Sequence, residues 1–147
     1  MQITSPDAVR FRWAVLVTSD EESDRNFLSA ALQSSGVETR AAFTCRDALQ
    51  NLKDHPACAI VSETALPDGD WRDLLAHLRG FRTPPYLIVT SRTAGERLWA
   101  EVPDAGGYDV LAKLFDRNEV VRVVVSACRN HEQQTPQTAA GEEQWHM

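Results

Sequence analysis

Five short strand-like segments alternate with five segments of helical periodicity, and this alternation constrains the fold more than any other feature. The strand-like segments are 13–18, 37–43, 58–61, 86–90 and 108–111. Their short, mostly apolar character is typical of strands buried on both faces of a sheet. Because strands and helices that alternate at this spacing connect by right-handed crossovers, the sequence predicts an α/β fold. We expect a mostly parallel, doubly wound sheet.

Each helical segment opens with Ser, Thr or Asp, followed three residues later by Asp or Glu. Such a pair is typical of a capping box at a helix N-terminus. The pairs are Ser19–Glu22, Thr44–Asp47, Asp70–Asp73, Thr93–Glu96 and Asp116–Glu119. The last segment also holds five valines within 120–125, which favour strands in isolation. The cap and the alternation along the whole chain predict a helix there.

Length and composition predict one domain with a polar extension. The chain has 147 residues, of which 43% are hydrophobic and 24% charged, as in an ordinary globular domain. We predict a lead-in at 1–11, the domain at 12–130 and a flexible polar tail at 131–147. The tail prediction depends on polarity and poor periodicity.

Charge and cysteine content exclude several classes of protein. The net charge is −6 and the arginines are scattered, which argues against nucleic-acid binding. No segment resembles a signal peptide or a membrane span, so we expect a cytoplasmic protein without membrane contact. Three cysteines without motif spacing, Cys45, Cys58 and Cys128, argue against a disulfide framework. Cys58 lies in an apolar run and is predicted to be buried and inert.

Polar residues follow the predicted strands at the edge where doubly wound sheets bind ligands. In such sheets the site lies outside the carboxyl ends of the strands, at the point where strand order reverses. This rule selects Ser19-Asp20, residues 62–65, Thr90-Ser91 and Lys113.

Those four clusters, in this order and spacing, resemble the receiver domain of two-component response regulators, the CheY-like proteins. The segments that carry the resemblance are VLVTSDEESDRNFL, AIVSETALPDGDW, YLIVTS and AGGYDVLAKLF, within about residues 13–130. The resemblance implies a single flavodoxin-like (βα)5 domain with strand order 2-1-3-4-5. It also implies a signalling module rather than an enzyme.

The resemblance assigns a role to each residue at this edge. The family's phosphoacceptor aspartate lies four residues before the turn proline, and Pro67 places that position at Glu63. The family's acidic pair corresponds to Ser19 and Asp20. Its switch hydroxyl, swinging aromatic and site lysine correspond to Thr90, Val110 and Lys113. Asp20, Thr90 and Lys113 keep the family's residue type, whereas Ser19, Glu63 and Val110 depart from it.

The departures weaken the family's chemistry, in which Mg²⁺ bridges carboxylates and an incoming phosphoryl group. Glu63 is one methylene longer than aspartate, and a misplacement of about 1 Å can cost roughly 100-fold in rate. Ser19 removes one anionic ligand from a metal that needs octahedral oxygen coordination. No cofactor is firmly implied. A weak Mg²⁺ site would consist of Asp20, Glu63 and the carbonyl of Ala65.

Glu63 is long enough to reach Lys113 and Thr90 itself, which leads to the hypothesis of a permanent internal Glu63–Lys113 pair. The competing interpretation is a degenerate position in a domain kept for its surface. Val110 cannot swing as an aromatic residue would, and Tyr108, two residues earlier, is expected on the same strand face. Leu114 replaces the family's proline, so a trans bond after Lys113 is expected.

The sequence therefore predicts a stand-alone, phosphorylation-independent receiver that acts by protein–protein contact. Its partner would be a histidine kinase or another regulator, bound through the fourth helix, fifth strand and fifth helix. A surplus apolar strip of Val121, Val125 and Cys128 makes a homodimer a second candidate. One alternative is a slow but working phosphoacceptor. Another, from a different class, is a small flavodoxin-like protein that binds flavin or another ligand, which the acidic loop after the first strand opposes.

Overall fold

Five parallel strands form the central sheet of the computed structural model, which describes residues 11–92 and 96–145, with side chains for 11–92 and 97–134. The strands are β1 (Trp13–Thr18), β2 (Val37–Ala42), β3 (Ala59–Glu63), β4 (Tyr86–Ser91) and β5 (Asp109–Ala112). Their order is β2-β1-β3-β4-β5, so the predicted doubly wound topology is confirmed. The register pairs Thr18 with Ser62 and Glu63 with Thr90. The carboxyl ends of neighbouring strands therefore meet at one edge.

Helices cover both faces of this sheet. They are α1 (Glu22–Gln33), α2 (Cys45–Asp54), α3 (Trp71–Leu78), α4 (Glu96–Ala105) and α5 (Arg117–Trp145). One core lies under α1 and α5, and a second lies under α2, α3 and α4. A two-residue antiparallel ladder joins Ala65–Leu66 to Gly69–Asp70 just after β3. None of the described helices has the length and apolar character that crossing a bilayer would require.

Three of the predicted helix caps are present. The side chains of Thr44, Asp70 and Asp116 each accept a hydrogen bond from the backbone N–H three residues later. The predicted box of Ser19 and Glu22 was wrong, because α1 begins at Glu22 with Glu21 as its N-cap and has no side-chain cap. Thr93 lies outside the described residues.

The valine-rich segment forms α5, as the sequence predicted. Val120, Val123, Val124 and Ala127 are buried in the core, and this burial outweighs their strand preference. The predicted surplus apolar strip was partly wrong, since Cys128 is fully buried and only Val121 and Val125 remain half-buried.

Helix α5 continues past residue 131 to Trp145, and the flexible polar tail at 131–147 stays a prediction. His131 is buried, and its ring meets the Tyr86 ring edge-on at 5.7 Å. Glu132 pairs with Arg12 at 2.8 Å. These contacts hold residues 131 and 132 against the sheet. Residues 1–10 of the predicted lead-in lie outside the described residues.

Candidate functional site at the carboxyl edge of the sheet

Glu63 ends β3 and lies at the centre of a hydrogen-bonded cluster. Lys113 Nζ donates to both of its carboxylate oxygens, at 2.9 Å to Oε1 and 2.7 Å to Oε2. Ser19 Oγ donates to Oε2 at 2.7 Å. The predicted contact between Glu63 and Lys113 is therefore present. Charge-assisted hydrogen bonds of this length are among the strongest in proteins.

Two further carboxylates from α1 and its N-cap surround the same ammonium group. Lys113 Nζ lies 2.9 Å from Glu21 Oε1 and 2.6 Å from Asp24 Oδ2. Glu21 and Asp24 are three residues apart, which puts them on one side of the first helical turn. The Lys113 side chain is only 3% exposed, so these carboxylates replace the water that the ammonium group gives up.

The pKa values in this cluster follow from those contacts. Burial by itself lowers the pKa of Lys113, but hydrogen bonds to Asp24, Glu63 and Glu21 outweigh it, and the pKa lies above its ordinary value. Hydrogen bonds from Lys113, Asp24 and Arg92 lower the pKa of Glu21 to about 2. Burial raises the pKa of Asp24. The ammonium group thus stays charged at neutral pH.

Arg92 closes the cluster on the solvent side. Its Nη2 lies 2.7 Å from Glu21 Oε2, with 59% of the Arg92 side chain exposed. The three carboxylates carry a formal charge of −3, and Lys113 and Arg92 carry +2, which leaves −1. Most of the negative charge that the fold concentrates here is already compensated.

Asp20 does not belong to this cluster, which differs from its predicted place in the acidic pocket. Its side chain is exposed, and the carboxylates close enough to share a ligand are Glu21, Asp24 and Glu63. Ser19 is the last buried residue after β1, so the chain turns outward at Asp20. The sequence signal that could have found Glu21 and Asp24 is their helical spacing just before an apolar helix face.

Thr90 is buried at the predicted position and pairs with Glu63 in the sheet, but its hydroxyl does not bond the Glu63 carboxylate. Its hydroxyl donates to the carbonyl of Ser62 at a long 3.4 Å, while Thr64 Oγ1 donates to the Thr90 carbonyl at 2.9 Å. The expected side-chain contact between Glu63 and Thr90 was wrong, because Glu63 turns towards Lys113 and Ser19 supplies the hydroxyl.

Val110 and Tyr108, the two residues considered for the role of the family's swinging aromatic, lie apart from one another. Val110 is 1% exposed in the core under α2, α3 and α4. Tyr108 precedes β5, so strand alternation does not apply to it, and it stacks on Tyr86 and bonds Ser126 Oγ at 2.7 Å. The expectation that Tyr108 shares the face of Val110 was wrong. The expectation of a trans bond after Lys113 was also wrong, since the Lys113–Leu114 bond is cis.

The residues present do not fit the predicted magnesium site. Oxygens of Glu21, Asp24 and Glu63 lie within 4.8 Å of one another, and such a set suits Mg²⁺ chemically. Lys113 Nζ already occupies the position between them. Ala65 lies in the short ladder opposite Asp70, and Asp20 faces solvent. The cluster therefore carries its own cation.

The two other aspartates near the turn are engaged elsewhere. Asp68 accepts hydrogen bonds from the backbone N–H groups of Cys45 and Arg46, at 2.7 and 3.0 Å. These bonds lower the pKa of Asp68 and anchor the N-terminus of α2. Asp70 caps α3, as predicted. Both side chains therefore have structural roles and are poor substitutes for an acceptor.

Comparison with known proteins places this geometry in one family. Residues 15–125 match the family model of the response regulator receiver domain. The chain is 30% identical over 117 residues to the KDP operon transcriptional regulatory protein KdpE of Escherichia coli K12, covering 80% of this chain and 52% of KdpE. The chain thus spans about half the length of that curated relative.

Two solved structures illustrate the likeness of the fold. The beryllofluoride-activated NtrC4 receiver domain dimer is 26% identical, with a TM-score of 0.73 and coverage of 80% of this chain and 98% of the NtrC4 receiver-domain chain. The chemotaxis response regulator CheY4 of Vibrio cholerae is 19% identical, with a TM-score of 0.69 and coverage of 78% and 98%.

Proposed function

Because the chain belongs to the response regulator receiver family, we propose that it is a two-component signalling module whose site is held in one state without phosphorylation. The observation that carries this proposal is the pairing of both Glu63 oxygens with Lys113 Nζ at 2.7–2.9 Å. An acceptor oxygen needs a free lone pair directed at phosphorus, and here three hydrogen bonds occupy most of the about four lone-pair sites of the Glu63 carboxylate. No catalytic turnover is part of this proposal.

The charge balance supports the same function. Ser19 donates to Glu63, where an acidic residue would repel it, so the cluster tolerates a permanent carboxylate without metal. Arg92 pairs with Glu21 on the solvent side of the cluster and supplies a second internal cation. The side chains themselves thus supply the ionic contacts that a phosphorylated site would otherwise gain.

The output would be contact with a protein partner, a histidine kinase or another regulator, through α4, β5 and α5 in a cytoplasmic setting. Trp99 on α4 is 38% exposed, and Leu114 after β5 is 89% exposed. Large exposed apolar side chains at this place suit recognition by a protein rather than by nucleic acid. A second copy of this chain is the other proposed partner, since the NtrC4 receiver is a dimer.

An intact-mass measurement after incubation with acetyl phosphate and Mg²⁺ tests the proposal. We expect no phosphoryl adduct on the parent protein. Glu63→Asp shortens the side chain and so moves the carboxylate away from Lys113. We expect this matched variant to gain a phosphoryl adduct. Asp68→Asn is the control for reaction at the neighbouring turn. A stable adduct on the parent that maps to Glu63 would favour the alternative of a slow but working phosphoacceptor.

A further inference from the structure

A second cluster of reactive side chains lies at the opposite edge of the sheet. Cys58 immediately precedes β3, where its N–H donates to the Ala14 carbonyl and its own carbonyl accepts from Tyr86 N–H. Cys58 packs against the buried core cluster that contains Cys128, and it lines one cavity together with His131. Cys128 and His131 are three residues apart on α5, so both project from one face of that helix. The family assignment uses none of these three residues.

We propose that Cys58 and Cys128 are a dithiol that a hydroperoxide oxidises to an intrachain disulfide, with Cys58 as nucleophile, Cys128 as resolving thiol and His131 as positioning residue. This inference is independent of the proposed function. It replaces the sequence prediction that Cys58 is a buried, inert thiol.

Access to the two thiols is unequal, as the order of reaction requires. Cys58 is half-buried and lines a shallow cavity with Arg12, Trp13 and Glu38. Cys128 is fully buried in the core cluster against which Cys58 packs. A small oxidant from solvent therefore meets Cys58 first, while Cys128 is held within reach of the product.

The surrounding charges favour a thiolate at Cys58. Hydrogen bonds from Cys128 and His131 outweigh burial and lower the pKa of Cys58 to about 5. The pKa of His131 is raised, because its ring contacts Cys58 and the carbonyls of Thr83 and Pro84. The contact with Cys58 also raises the pKa of Cys128, which remains a thiol. Redox-sensitive cysteines typically combine thiolate character, exposure and a neighbouring resolving thiol.

The reaction balances in two steps. The Cys58 thiolate attacks the peroxide O–O bond and takes the terminal oxygen, and with one proton this gives Cys58 sulfenic acid and one water or alcohol. The Cys128 thiol then attacks the sulfenic sulfur, forms the S–S bond and releases water. Overall, two thiols lose two electrons and two protons to the hydroperoxide. The product would link the start of β3 covalently to α5.

Cys45 provides an internal reference in the same molecule. It is buried, and burial and Asp68 raise its pKa to about 11. Thiolate fraction and nucleophilicity oppose each other, with a Brønsted slope of about 0.45, so Cys58 should react roughly 20-fold faster than Cys45 at pH 7. The burial of Cys45 would increase that ratio.

The test is a time course of the reduced full chain with hydrogen peroxide at pH 7, quenched by alkylation in denaturant and followed by intact mass and peptide mapping. We expect a monomeric product lacking two hydrogens, with a Cys58–Cys128 cross-link and Cys45 still alkylated. Cys128→Ser should stop at a sulfenic acid on Cys58 that dimedone traps. Cys45→Ser is the matched control and should behave as the parent does.

The variant His131→Gln distinguishes a positioning role of His131 at Cys58 from a role in stabilising the fold. We expect the pH midpoint of Cys58 alkylation to rise above about 5, but not to the roughly 8.5 of a free thiol, because the contact with Cys128 remains, while the circular dichroism spectrum stays unchanged. Equal oxidation rates at Cys45 and Cys58 would overturn the proposal. So would an intermolecular product, or a dimedone adduct on Cys128 in the parent.

Discussion

The two ends of β3 hold their reactive groups in opposite ways. At the carboxyl end, Glu63 accepts hydrogen bonds of 2.7–2.9 Å from Lys113, and the positive and negative side chains of the cluster largely neutralise one another. At the amino end, Cys58 packs against the core that contains Cys128 and lines a solvent-open cavity together with His131. The first arrangement is already satisfied and has little to gain from a ligand. The second is satisfied only while the thiols remain reduced, so its state depends on its surroundings.

The largest expected effect tests whether the carboxyl end is a self-contained unit. Lys113→Ala would leave Glu21, Asp24 and Glu63 close together without their shared cation, and should lower the free energy of unfolding by about 3 kcal/mol. Urea unfolding at pH 7 measures this, with exposed Lys53→Ala as the control. A loss below about 1 kcal/mol would mean that the two ends do not differ as described.

A smaller effect sharpens the role of the hydroxyl at Ser19. Ser19→Ala removes the 2.7 Å bond to Glu63 and should cost about 1 kcal/mol. Ser19→Asp restores the family's residue type but sets a buried carboxylate against Glu63, and should cost about 2 kcal/mol. Thermal unfolding of both variants gives the order. If Ser19→Asp proved as stable as the parent, the idea that serine accommodates a permanent carboxylate would be wrong.

The smallest effect appears only as pH changes. The pKa of Glu21 is lowered to about 2 in the folded protein, from an ordinary 4.5, by its bond to Lys113. Its stabilising contribution is therefore present above about pH 4.5 and is lost as pH falls towards 2. The difference in unfolding free energy between the parent and Glu21→Gln should narrow from pH 6 to pH 3. Exposed Glu22→Gln is the control, and a constant difference would contradict the assignment.

Most of the fold could be predicted from the sequence, because strand burial and helix capping are local signals that agree along the chain. The valines of α5 show the limit of local propensity, since only burial against the sheet decides their conformation. The extent of α5 beyond residue 130 has no clear sequence signal, because His131 and Glu132 are polar and the contacts that hold them come from Tyr86 and Arg12.

The sequence positions that form the site could be predicted, but the direction of each side chain could not. Glu63 and Lys113 follow from the strand ends, and their contact follows from side-chain length. Asp20 was misplaced because the chain direction after a strand depends on the turn, which brings Glu21 inward instead. The thiol cluster had no sequence signal, since its members are far apart in sequence and meet only through packing.

Val110 has a consequence for the thermodynamics of recognition. A β-branched side chain that is 1% exposed has essentially one rotamer available and cannot populate an alternative surface. In a protein with two populated conformers, the measured affinity is reduced by the fraction of molecules in the competent one. For the α4–β5–α5 face proposed to bind a partner, a single conformer would make that fraction close to one, and binding would then follow a single kinetic phase at a rate set by encounter rather than by rearrangement.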